Sequence, residues 1–238
     1  MIDYLDIKVK PFSWLKLEDI YVSQQAEFTC EVAAFRMVLR YYNIDINETD
    51  LIKILEYEGF GVSDFGTYLP SIGVLGLRFG FDVVYRLDIK KEYKNAEGII
   101  SDNKIISKII LEDAYNSNSN SNDFIIYNSL FDFLDLGGRV FFHQPYLCPS
   151  FKEIINAISN KNIIILLVNS IEYYGLDESW NHALVLLPQN GNSFFVLDDF
   201  KDMGFHFYSD WDKHLLYSKN YNWKNWRGNM VEFRKKDR

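Results

Sequence analysis

The chain has 238 residues, 48% of them hydrophobic, and a formal charge of −8 at neutral pH. That length and apolar content suffice for one well-filled core, and the acidic balance argues against nucleic acid as a partner. No apolar stretch reaches the roughly 18 residues that a membrane span needs.

Residues 1–20 read as a short lead-in broken by Pro11, without the basic-then-apolar layout of a secretory signal. Only two cysteines, Cys30 and Cys148, are present, a usage that suits a reducing compartment, so a cytoplasmic protein is expected. Thr29 is a good N-cap, and residues 30–42 form a helix that is apolar nearly all round, hence central and buried. Thr49 and Asp50 open a second helix over 51–58, ended by Gly59 and Gly61. After Gly66 a third helix runs to about Gly76, and a strand follows over 81–87. Residues 88–136 hold Lys/Glu-rich and Ile-rich helical stretches broken by the Asn/Ser tract 116–122, a low-complexity segment expected to form a mobile loop. This part reads as an insertion within a single domain spanning 1–238, because strands that the core needs come after it. Residues 151–159 are expected as a helix, 163–168 as a fully buried strand, and 182–187 with 194–198 as a hairpin. Helices first and strands second indicate an α+β fold.

Candidate chemistry gathers at few positions. Cys30 falls in the first turn of its helix, where unpaired amides and the helix dipole favour thiolate over thiol. Glu31 beside it is expected to be stabilised by the same dipole and to point into solvent. A nucleophilic thiol needs a base, and His182 heads the strand-like run 182–187. For the carboxylate that orients the imidazole there are two candidates. A tight Asn190-Gly191 turn sets His182 opposite Asp199. Pro188 cannot donate a ladder hydrogen bond, and a longer loop shifts the register by one in favour of Asp198. Cys148 reads as a partly buried thiol, since a bridge to Cys30 would consume the nucleophile. The four histidines (His143, His182, His206, His214) offer no zinc spacing, so neither metal nor cofactor is expected. Asp45 to Glu56 is rejected as a calcium loop because Asp50 stands where glycine is needed. The aromatic-rich end (Trp211, Tyr217, Tyr221, Trp223, Trp226) is assigned to covering the core.

Taken together, Gln24, Cys30, Ala33, Met37, Leu39, Tyr41, Tyr42, His182 and Asp198 match a pattern that resembles the papain-like cysteine peptidases that cut double-glycine leaders from bacteriocins, and their soluble relatives. In that family a Gln precedes the Cys by six residues, and an Asp follows the His by sixteen. The likeness extends to Gly66-Thr67, to the stretch 75–83, and to 149–155 followed by 163–168. Over residues 20–210 it implies a papain-like fold, with a helix-rich N-terminal half packed on an antiparallel sheet from the C-terminal half. It selects Asp198 as the third catalytic residue and Gln24 as an oxyanion donor. It also implies a hydrolase that cleaves a peptide or isopeptide bond in a peptide or protein substrate through a Cys30–His182–Asp198 triad and a thioester. The same residues would serve an acyltransferase or a glutamine deamidase. Glu31 replaces the family's usual Gly, and Asp199 its usual Pro. A carboxylate beside the thiol opposes a second negative charge, which raises a third reading, an inactive binding module on the same scaffold.

Overall fold

The run 163–168 shows no polar alternation, the mark of a strand covered on both faces, and the fold is arranged around it. The structure, a computed structural model, describes residues 16–25, 29–60, 67–88, 100–101, 121–143, 151–169, 177, 180–189, 194–199, 204–208 and 230–236. The helices are α1 (Leu17–Ile20), α2 (Cys30–Tyr41), α3 (Glu48–Tyr57), α4 (Leu69–Arg78), α5 (Ser121–Asp135) and α6 (Phe151–Ser159). The strands are β1 (Phe81–Asp88), β2 (Ile100–Ser101), β3 (Arg139–His143), β4 (Ile163–Asn169), β5 (Asn181–Pro188), β6 (Phe194–Asp198), β7 (Gly204–Tyr208) and β8 (Met230–Lys235). They form one sheet in the order β2-β3-β1-β8-β4-β5-β6-β7. All pairings are antiparallel except β1 with β3. No described helix is long and apolar enough to cross a membrane.

The α+β expectation holds: N-terminal helices pack on a mostly antiparallel sheet built largely from the C-terminal half. Strand β1 is the exception, since it comes early in the chain yet lies between β3 and β8. On one sheet face Ile163, Ile165, Leu167, Ala183, Val185 and Phe233 meet the helices of the N-terminal half in the main core. On the other, Ile164, Leu166, Val168, Leu184 and Leu186 meet Ile154, Ala157 and Ile158 of α6. Both faces of β4 and β5 are thus dry, which explains their continuous apolar runs.

Helix α2 is the centrepiece, with every residue from Cys30 to Leu39 buried. Phe35 fixes it to the sheet, its ring 5.5 Å from Phe233 and 6.5 Å from Phe81. The second expected helix begins earlier than its Thr49-Asp50 signal. Asn47 is its cap, with Oδ1 accepting from the Asp50 amide at 2.8 Å, so Thr49 and Asp50 lie inside the first turn.

Of the expected insertion at 88–136, the structure describes 88, 100–101 and 121–136. A parallel β1–β3 pair requires a crossover, and α5 lies between those strands in the chain. It packs on α4 and β3 and sends Leu130, Phe133 and Leu134 into the main core. Ser121 and Asn122 of the expected mobile loop belong to this helix. Residues 89–99 and 102–120 lie outside the described residues.

Close approach of α4 to the sheet depends on Gly76. A Cβ there would stand 2.6 Å from Phe233 Cε1 and 3.0 Å from Val83 Cγ2, and both neighbours are fully buried. Gly76→Ala is expected to destabilise the protein by about 1–3 kcal/mol, since overpacking outweighs the helix-propensity gain. A urea unfolding curve checks this, and an unchanged or raised midpoint would contradict the close packing.

Candidate active site

The thiol is delivered by a braced segment. Thr29 occupies the N-cap of α2, yet its hydroxyl does not cap the helix. It donates instead to the Glu48 carboxylate at the start of α3. Glu48, 1% exposed, also accepts the Gln25 backbone N–H at 3.1–3.2 Å. One buried carboxylate therefore ties together both ends of the approach to Cys30. Nothing local in the sequence marks Glu48 as a brace. Gln24 sits partly buried on the extended stretch 21–25. Ala26, Glu27 and Phe28, and likewise Cys148, lie outside the described residues.

The imidazole is placed by the β5–β6 hairpin. Val185 pairs with Leu197 and Pro188 with Phe194, one residue out of the register that a two-residue Asn190-Gly191 turn would impose. Extending the ladder by one pair sets Leu184 opposite Asp198, so His182 and Asp198 are diagonal neighbours on one face. His182 Nε2 and Asp198 Oδ1 are hydrogen-bonded at 3.0 Å. Asp199 does not stand aside as a reserve: its Oδ1 is also 3.0 Å from Nε2, off the hydrogen-bonding direction. The Trp180 ring meets the imidazole edge-on at 5.7 Å, and the Tyr21 hydroxyl donates to the Asp198 carbonyl at 3.4 Å.

Helix α2 packs against β5, which brings the Cys30 thiol to the backbone amide of Ala183, the residue after His182. The surroundings reverse the expected thiol acidity. Burial pushes the Cys30 pKa well above its ordinary value, and the charge and hydrogen bond of Glu31 push the same way, as does Asp199. Only the Ala183 amide pulls it down. A helix N-terminus supplies about 0.3–1 kcal/mol, up to ~2, whereas desolvating an ion costs several. Desolvation wins.

Glu31 likewise departs from expectation. It is 7% exposed and turns inward, its Oε2 accepting the Cys30 S–H at 3.2 Å and the Thr67 hydroxyl at 2.9 Å. Every α2 residue from Cys30 to Leu39 is buried, so no solvent-facing side is left for this residue. Burial raises the Glu31 pKa, against the lowering by its Cys30 and Thr67 hydrogen bonds. For His182, burial alone would lower the pKa, but the hydrogen bond to Asp198 and the negative charges of Asp198 and Asp199 override it and push it up to about 9. Burial also raises Asp199, partly offset by His182.

These shifts act on stability in one direction. The raised His182 value contributes stability that is complete below about pH 6.5 and is lost as pH rises through about 9. Glu31 and Asp199, raised by burial, add a penalty once pH exceeds their ordinary carboxylate range. Glu31→Gln keeps an acceptor for the thiol and removes the charge. It is expected to raise the melting temperature at pH 8, with the gain vanishing towards pH 4, and to speed alkylation of Cys30 at neutral pH. Thermal scans across pH and timed alkylation with mass mapping read both effects. A gain that persists at pH 4 would remove the charge as its cause.

No family model, curated protein or solved structure matches this chain, so a functional reading rests on these side chains and on the sequence resemblance.

Proposed function

We propose that the protein is a thiol acyl-transfer enzyme of the papain-like cysteine-peptidase kind, with Cys30 as nucleophile, His182 as base and Asp198 as the orienting carboxylate. The observation that carries this reading is the His182–Asp198 hydrogen bond of 3.0 Å, formed on the strand that faces the α2 N-terminus with its thiol. In the reaction Nδ1 of His182 takes the Cys30 proton while Nε2 stays with Asp198. Sγ attacks the substrate carbonyl carbon, and the oxygen gains the negative charge. The Cys30 backbone N–H and the Gln24 side-chain amide are the donors for that oxygen. Collapse to a thioester breaks the bond to the leaving amine, which takes the proton back from His182. Water then releases the acid in a peptidase, whereas an amine acceptor would make a transferase. Loss of ammonia from a glutamine side chain would make a deamidase.

The protonation states set a pH profile. The active form holds one proton between Cys30 and His182. At neutral pH both groups are protonated, because the thiol lies well above its ordinary value and the imidazole near 9. One proton must leave to solvent, so kcat/KM is expected to climb from pH 6 towards about 9, and Glu31→Gln should move that limb to lower pH. Cys30→Ala and His182→Ala should abolish turnover of a fluorogenic peptide library with the fold intact. Asp198→Ala should cost more than Asp199→Ala, and Gln24→Ala about 10²–10³-fold in kcat. Turnover that survives Cys30→Ala would end the proposal.

The buried Glu31, hydrogen-bonded to the thiol, favours a second reading, a binding module that retains the scaffold. It predicts no turnover for the parent chain at any pH, and activity first created by Glu31→Gly, the family residue.

A further inference from the structure

A catalytic imidazole needs one orienting carboxylate, and His182 has two. Asp199 is 8% exposed, and among the described residues neither of its oxygens receives a hydrogen bond, although Oδ1 lies 3.0 Å from His182 Nε2. A desolvated carboxylate without a donor is costly, and the triad gives it no task. One donor atom from each of His182, Asp198 and Asp199 lies within 4.8 Å of the others. We propose that His182, Asp198 and Asp199 form a binding site for a divalent transition cation of the zinc type.

The donor set decides the class of ion. One imidazole nitrogen and two carboxylate oxygens suit Zn²⁺ or Co²⁺, whereas Mg²⁺ and Ca²⁺ take oxygen shells of six or more. The spacing agrees. Nε2 stands 3.0 Å from an oxygen of each aspartate, and an ion about 2.0–2.1 Å from two such donors subtends about 95° between them. The ion takes the place of the proton on Nε2, gives Asp199 the direct contact that a proton directed at Asp198 does not, and leaves at least one position open to water. The edge contact of Trp180 and the Tyr21 bond to the Asp198 carbonyl hold ring and strand end in place. Histidine spacing along the chain could not reveal such a site, because its ligands come from the two strand ends of a hairpin. Cys30 is not a ligand, so cation binding can be read without the thiol, although an ion on Nε2 displaces the proton that the acyl-transfer reading shares with Asp198.

The test uses the full chain, stripped with a chelator and titrated with Co²⁺ by absorption and with Zn²⁺ by calorimetry. One equivalent should bind to the parent and to Cys30→Ser alike. Asp199→Asn should weaken binding by about tenfold or more, while the metal-free variant stays folded by circular dichroism and melts no lower than the parent. Should Asp199→Asn fail to fold, His182→Gln is titrated in its place and should also lose the ion. Absence of stoichiometric binding by the parent overturns the site. So does unweakened binding by Asp199→Asn or, where that variant does not fold, by His182→Gln. Loss of binding in Cys30→Ser overturns it too, because the ion would then belong to the thiol.

Discussion

Helix α2 is buried from Cys30 to Leu39, and it packs on β5, where the buried Cys30 and His182 lie. Charges there cannot be screened, so each must find a partner or keep its proton. Four acidic groups, Cys30, Glu31, Asp198 and Asp199, share this space with a single imidazole. Much of the behaviour inferred for the protein follows from that imbalance. His182 holds its proton into the alkaline range because two carboxylates want it. Cys30 holds its proton because Glu31 and Asp199 oppose a further negative charge. In a wetter cleft Cys30, Glu31, His182 and Asp199 would titrate near their ordinary values.

Geometry at the site comes from rigid parts. The thiol is fixed by a buried helix whose aromatic anchor, Phe35, packs on Phe233 and Phe81. The imidazole is fixed by a strand paired on both sides, β4 on one and β6 on the other. The approach to Cys30 is held at Gln25 and Thr29 by the Glu48 carboxylate. A carboxylate buried for this purpose is stable because three donor contacts replace its water. Gln24 is thereby carried on a braced strand of chain rather than on a loose loop.

Much of the architecture was legible in the sequence, because its signals are local. The apolar run at 163–168, the helix after Thr29 and the helix at 151–159 all lie where periodicity sets them. The hairpin register escaped: Pro188 argues against the tight turn, but the ladder is displaced by one residue in the opposite sense to the expected one, so that neither Asp198 nor Asp199 lies directly opposite His182. What escaped depends on distant contacts. Glu31 reads as a solvent-facing first-turn acid until α4's neighbour Thr67 closes over it. The α5 segment reads as inserted because its parallel pairing of β1 with β3 spans more than fifty residues. Asp198 and Asp199 read as alternatives because a strand alternates its faces. Asp199, however, follows the last residue of β6, where alternation no longer binds it, and both carboxylates reach one nitrogen.

That last point limits how the site can work. A proton on Nε2 shared with Asp198 orients the ring for thiol chemistry, whereas a cation on Nε2 uses the same lone pair and both aspartates. The two uses exclude each other, because an imidazole nitrogen cannot hold a proton and a metal at once. Choice between them turns on Asp199. As a neutral acid it relieves the crowding of negative charge and leaves the hydrogen bond to Asp198 in place. As a carboxylate it opposes the Cys30 thiolate and draws a cation instead. Asp199 thus does more than neighbour the His182–Asp198 pair. It puts a second claimant on the imidazole, and with Glu31 at the thiol it makes the protonation of two buried carboxylates the variable that governs how firmly Cys30 holds its proton.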